Sequence, residues 1–241
     1  MKSKSYPNLK LIVDPAVDIK HGPTFVFNSI KNGRRNFLPR FLPYLLHYVI
    51  SEKISNAKRN KIISDYGRYC YKAHTSEIKS GTKTVVADWD KMKNKYFCLV
   101  DLIFKKHHWP KGYYVGFATI WHSYPRNVKN MTFYFPYSHS LPQYANKVIS
   151  HEMLHFMFFD YIKSRYGLAE GAKIKGKDVN YVWKVSEAFN NVIEEWAPYK
   201  KIFKHPARPY KETLDIFNKM SRQWKQKQDI DWLLDQWFAK K

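Results

Sequence analysis

His151-Glu152-Met153-Leu154-His155 places two imidazoles four residues apart, with a carboxylate beside the first. On an α-helix, residues i and i+4 share a face with Cβ atoms roughly 5–6 Å apart, so both rings can reach one small cation. The intervening glutamate points to a neighbouring part of the same rim. From there it can take a proton from a water activated by the ion without being a ligand itself. This spacing suits metal-assisted hydrolysis, provided that the segment is helical.

The flanking residues supply a helix. Ser140-Leu141-Pro142-Gln143 reads as its start: Ser140 as the cap, Pro142 in the first turn where a missing N–H costs nothing, and Gln143 at the capping-box position. No Gly or Pro then interrupts the chain to about Arg165, and Gly167 is a stop. Val148, Met153, Leu154, Phe158, Phe159 and Ile162 make much of the circumference apolar, as expected of a helix at the centre of a domain.

A catalytic zinc takes three protein ligands and keeps a fourth position for water. A third histidine in the H-E-x-x-H-x-x-G-x-x-H pattern is excluded, because the last position is Tyr161 and the glycine position is Phe158. No histidine follows His155 until His205. Asp160 lies five residues past His155, off the two-histidine face, and reads as a polar residue near the helix end. Glu187 is the better third ligand. It falls in the apolar-periodic run Trp183–Ile193, a second buried helix ended by Pro198, where an unpartnered carboxylate would be expensive. Asn191 lies one turn further on the same face, placed to hydrogen-bond the distal nitrogen of a ligating histidine.

An H-E-x-x-H helix followed by a helix bearing E-x-x-x-(D/N) resembles the zincin metallopeptidases, specifically the thermolysin-like gluzincin branch. The resemblance runs from Ser140 to Glu195, and Asn191 stands where that branch usually has Asp. It implies Zn²⁺ on His151, His155 and Glu187, Glu152 as the general base of peptide-bond hydrolysis, and a peptide or protein substrate. It also implies that the strand before the metal-bearing helix is an edge strand to which an extended substrate adds. Met131–Phe135 takes that place, with Thr132, Phe133 and Tyr134 as substrate-binding positions. An oxyanion-stabilising Tyr or His is required, and His205, Tyr199, Tyr181 and His122 all remain open.

The elements that must position these residues are legible in outline. A helical region is expected over about 37–80, with a hairpin of short helices at Phe37–Ile50 and a longer stretch at Ser55–Lys79. A sheet is expected over about 82–137, from strands at Thr84–Ala87, Tyr96–Phe104, Tyr113–Trp121 and Met131–Phe135 and a turn at Pro110–Gly112. Metal-binding helices at about 141–197 and an amphipathic helical extension at about 211–241 complete a single α+β, zincin-like domain over 1–241. Met1–Gly22 reads as an irregular leader.

Composition limits the alternatives. Apolar residues make up 44% of the chain, which places it among globular proteins. No apolar run is long enough to span a bilayer and no signal-peptide core is evident, so a cytoplasmic location is expected. Cys70 and Cys98 are too few for a disulfide framework and read as reduced, packed thiols. The net charge of +22 is carried mostly by dispersed lysines, which implies weak, non-specific attraction to nucleic acid or anionic surfaces. Two competing functions follow: a basic nucleic-acid-binding module with a closed structural zinc, and a catalytically inert interaction protein.

Overall fold

The computed structural model describes residues 6–31, 49 and 54–239. The hairpin expected at Phe37–Ile50 lies, apart from Val49, outside the described residues.

Of the irregular leader expected at Met1–Gly22, the described residues 6–22 are largely regular structure. Strand β1 (Leu9–Ile12) pairs in parallel with β2 (Tyr114–Thr119), Leu9 opposite Tyr114. Four residues, even bounded by Pro7-Asn8 and Asp14-Pro15, are too few for their alternation to stand out in sequence. Helix α1 (Pro15–Lys31) begins with Asp14, whose carboxylate accepts the Val17 N–H at 3.0 Å, and with Pro15 at the first helical position.

Helix α2 spans Asn56–Ile103 in two helical stretches joined at His74, and replaces the two strands expected at Thr84–Ala87 and Tyr96–Phe104. Ser55 caps it by accepting from Lys58 N–H, and a kink falls at His74. The β-branched and aromatic residues that suggest strands here fall at helical intervals. Thr82, Val85, Trp89, Met92, Tyr96, Val100 and Ile103 are all buried along one stripe. Tertiary burial of that stripe overrides local β preference. Pro110–Gly112 accordingly turns the chain from this helix into β2, not between strands.

The sheet order is β1-β2-β4-β3, with β4 (Thr132–Pro136) parallel to β2 and the two-residue β3 (Arg126–Asn127) antiparallel to β4. Successive side chains point to opposite faces. Tyr114, Ala118, Phe133 and Phe135 enter the larger core, while Phe117 and Tyr134 face a smaller one built with α1 and the first half of α2. The larger core is completed by α3 (Tyr144–Tyr166), α4 (Tyr181–Glu195), the single turn α5 (Ala197–Lys200), α6 (Leu214–Gln226) and α7 (Ile230–Phe238). The architecture is α+β.

The helix that carries His151 and His155 starts later than expected. Residues 140–143 form a turn, and Gln143 sits in the left-handed conformation at φ 62°, so Ser140 is not its cap and α3 begins at Tyr144. Gly167, at φ 68°, ends it as expected. Cys70 is buried, but Cys98 is exposed on α2. Among the described residues no helix is long and apolar enough to cross a membrane.

Candidate metal centre

Helix α3 is buried on nearly its whole circumference, and its middle turn carries His151, Glu152 and His155. Tyr96 of α2 holds this turn from behind by donating to the Ser150 carbonyl at 2.8 Å. Asn190 of α4 donates to the His151 carbonyl at 2.9 Å, fixing the two helices against each other.

Glu187 projects from α4 between the two imidazoles. The Nε2 atoms of His151 and His155 are 3.1 Å apart. Glu187 turns Oε2 to His151 Nε2 at 3.4 Å and Oε1 to His155 Nε2 at 3.3 Å. Donor bonds of ~2.0–2.1 Å in a tetrahedral zinc site give donor–donor edges of about 3.3–3.4 Å. The three edges are therefore close to those of one face of such a site. Among the described residues His151, His155 and Glu187 form the one group with ligand atoms this close, and no fourth His, Cys or carboxylate joins it. The structure thus brings the Glu187 carboxylate to both imidazoles. Asp160 does not join them: its carboxylate lies 2.8 Å from His107 Nε2.

The partner of His151 on its other nitrogen is Glu194, not Asn191. Glu194 Oε1 is 2.7 Å from His151 Nδ1, and its Oε2 is 2.9 Å from Lys147 Nζ. Asn191 instead donates its amide to the Glu187 carbonyl at 2.7 Å, inside its own helix. Seven residues, two turns, separate Glu187 from Glu194, so both lie on the face toward α3. The signal was present as a buried glutamate in an apolar helix, the same cost argument that singles out Glu187. His155 Nδ1 has no hydrogen-bond partner.

Electrostatics separates the two rings. Burial opposes charge on His151, but Glu194 and Glu187 outweigh it and carry the ring to about 10. Burial, and then the Arg126 charge, push His155 down to about 3. Burial also opposes ionisation of Glu187, yet the histidines and Arg126 hold it well below the usual carboxylate range. Burial lifts Glu152 to about 7, against the pull of His151 and Arg126.

Arg126 was not legible in sequence. It sits on β3, 61 residues from Glu187, and brings Nη1 to 3.1 Å from Glu187 Oε1 and 3.7 Å from Glu152 Oε2. Because β3 pairs Arg126 with Phe133 and Asn127 with Thr132, and the Tyr134 N–H bonds the Pro125 carbonyl at 3.0 Å, strand β4 is not the edge. Thr132, Phe133 and Tyr134 are thus covered on that side, and Phe133 is fully buried. The chain that borders the site is the segment 122–126.

The site opens on a cavity of about 580 Å³ whose walls include His122, Pro125, Arg126, Glu152, Arg208 and Tyr210. Of the four residues considered for oxyanion stabilisation, only His122 lines it. Tyr199 is buried against Ser150 Oγ at 2.5 Å, Tyr181 donates to the Trp237 carbonyl at 3.2 Å, and His205 bonds the Pro142 carbonyl.

Comparison with protein-family models, with curated proteins and with solved structures finds no match for this chain.

Proposed function

We propose that this protein is a zinc-dependent peptidase in which His151, His155 and Glu187 hold the metal and Glu152 is the general base. The observation that carries the reading is the triangle of two Nε2 atoms and one carboxylate at 3.1–3.4 Å, open to the cleft beside Glu152. Two imidazoles and a carboxylate are a donor set that suits zinc with an open position. A bound ion would supply Lewis acidity, activating water and polarising a carbonyl. Glu194 fixes the tautomer of His151 by accepting at Nδ1. Glu152, buried and poised near neutrality, accepts the proton of the attacking water and returns it to the leaving amine. An extended substrate would run along the segment 122–126 rather than along β4. The zincin resemblance supports the same assignment of roles.

One observation favours a second reading. The Arg126 guanidinium already neutralises Glu187 and Glu152, so the cluster could be a buried ion network with no metal. Zinc titration with a stoichiometry measurement decides between them: one tightly held zinc per chain supports the peptidase, and none supports the network. Glu152→Gln should retain zinc and lose casein hydrolysis by about 10²–10⁴-fold. Equal turnover in the two proteins would refute the general-base role.

A further inference from the structure

Arg126 is built into the site more elaborately than an ion pair requires. Its side chain is only 9% exposed, and the guanidinium packs over the Phe159 ring with its carbon 5.6 Å from the ring centroid. Three carboxylates from three parts of the chain surround it: Glu187 at 3.1 Å, Glu170 at 3.1 Å and Glu152 at 3.7 Å. These keep it charged in spite of its burial. Yet Nε and Nη2 make no hydrogen bond, since the Glu170 contact lacks the geometry of one. Unspent N–H donors on a buried cation are costly unless something arrives to accept from them. The guanidinium also lines two cavities, the cleft over the metal centre and a neighbouring one of about 600 Å³. It therefore borders the cleft, within reach of both Glu152 and a carboxylate of the triad.

We propose, resting on the peptidase reading above, that Arg126 is the catalytic electrophile that accepts the oxyanion of the scissile peptide. In the step so assigned, the water oxygen bonds to the carbonyl carbon while one water proton passes to Glu152. The C=O π pair moves onto the carbonyl oxygen, which takes N–H hydrogen bonds from Arg126. On collapse the C=O bond re-forms and the C–N bond breaks, its electron pair staying on nitrogen. That nitrogen takes the proton from Glu152, leaving a carboxylic acid and an amine. A fixed cation held by surrounding carboxylates needs no reorganisation as the charge appears, which is where such donors gain their effect. Tyr199, Tyr181 and His205 are already engaged elsewhere, which leaves His122 as the one alternative of the four that also lines the cleft.

The test compares zinc-loaded wild type with Arg126→Met and Arg126→Lys. Two probes are used: a dipeptide phosphonamidate, which presents a tetrahedral anion, and acetohydroxamate, a planar chelator. Zinc stoichiometry, casein turnover and thermal melting are followed alongside. Phosphonamidate affinity and kcat should both fall about 10²–10³-fold in Arg126→Met, the range seen when one oxyanion donor is removed. Arg126→Lys should recover part of the loss, with zinc content, KM and acetohydroxamate affinity nearly unchanged. Equal weakening of both probes, or a raised KM with kcat retained, would overturn the proposal while leaving the peptidase intact. Loss of zinc from Arg126→Lys as well as Arg126→Met would overturn it too, because the residue would then hold the cage and not the substrate. A wild-type chain that binds no zinc would instead refute the reading on which the proposal rests.

Discussion

Glu194 Oε1 lies 2.7 Å from Nδ1 of His151, the ring nitrogen that faces away from Glu187. The contact leaves Nε2 to point at the triad and ties the ring through the Glu194 carboxylate to Lys147. A carboxylate on the distal nitrogen both fixes the tautomer and raises the basicity of the ligating one. Glu194→Gln should therefore weaken zinc affinity about 10–100-fold, the usual effect of losing such a partner. Asn191→Ala should change it far less, since Asn191 bonds only its own helix. Competition with a chelator of known zinc affinity would rank the two variants, and the reverse order would restore Asn191 to the role expected from sequence.

Metal binding should appear as stability. A ligand that binds only the folded chain adds about 2.7 kcal/mol at a free concentration one hundred times its dissociation constant. Zinc should raise the melting temperature of the wild type and leave Glu187→Gln unmoved, because that variant removes the carboxylate corner of the triangle. A matched rise in both proteins would place the zinc elsewhere.

Asp18 gives the fold a pH dependence of its own. Burial, partly offset by hydrogen bonds from Thr119, Tyr71 and the Ile120 N–H, lifts its carboxyl to about 6. A carboxyl raised on folding binds more protons in the folded state. Its contribution is therefore most favourable below 3.8 and declines as pH climbs to about 6. That interval corresponds to about 3 kcal/mol. Asp18→Asn should remove this slope. Urea midpoints taken from pH 4 to 7 would show it, and a wild-type-to-variant difference constant over that window would exclude the assignment.

Replacement of exposed Lys91 tests the long helix directly. Proline in a helix interior costs about 3 kcal/mol or more, through a lost hydrogen bond and a clash with the preceding turn. Lys91→Pro should destabilise by that amount, whereas Lys91→Ala should stay within about 0.5 kcal/mol, since the Asp88 pair it loses is exposed. Denaturation midpoints that fail to separate the two variants would argue against helix at this position.

What was legible along the chain was whatever depends on near neighbours. The spacing of His151 and His155, the stop at Gly167, the run around Glu187 and strands β2 and β4 all rest on a period of 3.6 or 2 within one element. Thr82 to Phe104 misled because β-branched and aromatic residues serve a buried helix face as well as a strand, and composition does not say which partner covers them. Leu9–Ile12 was too short to announce itself, and its strand exists by pairing with residues more than one hundred positions away.

The amino-acid order by itself determined that two imidazoles and a carboxylate share one helix turn, and that a buried glutamate on a later helix needs a partner. Only the tertiary structure decided that Glu194, and not Asn191, takes the far side of His151, that β3 covers β4, and that Arg126 stands over the centre. The reason is physical. A helical period fixes which residues share a face, but the rotation of one helix against another, and the strand that closes the cleft, are set by long-range packing that no local spacing encodes.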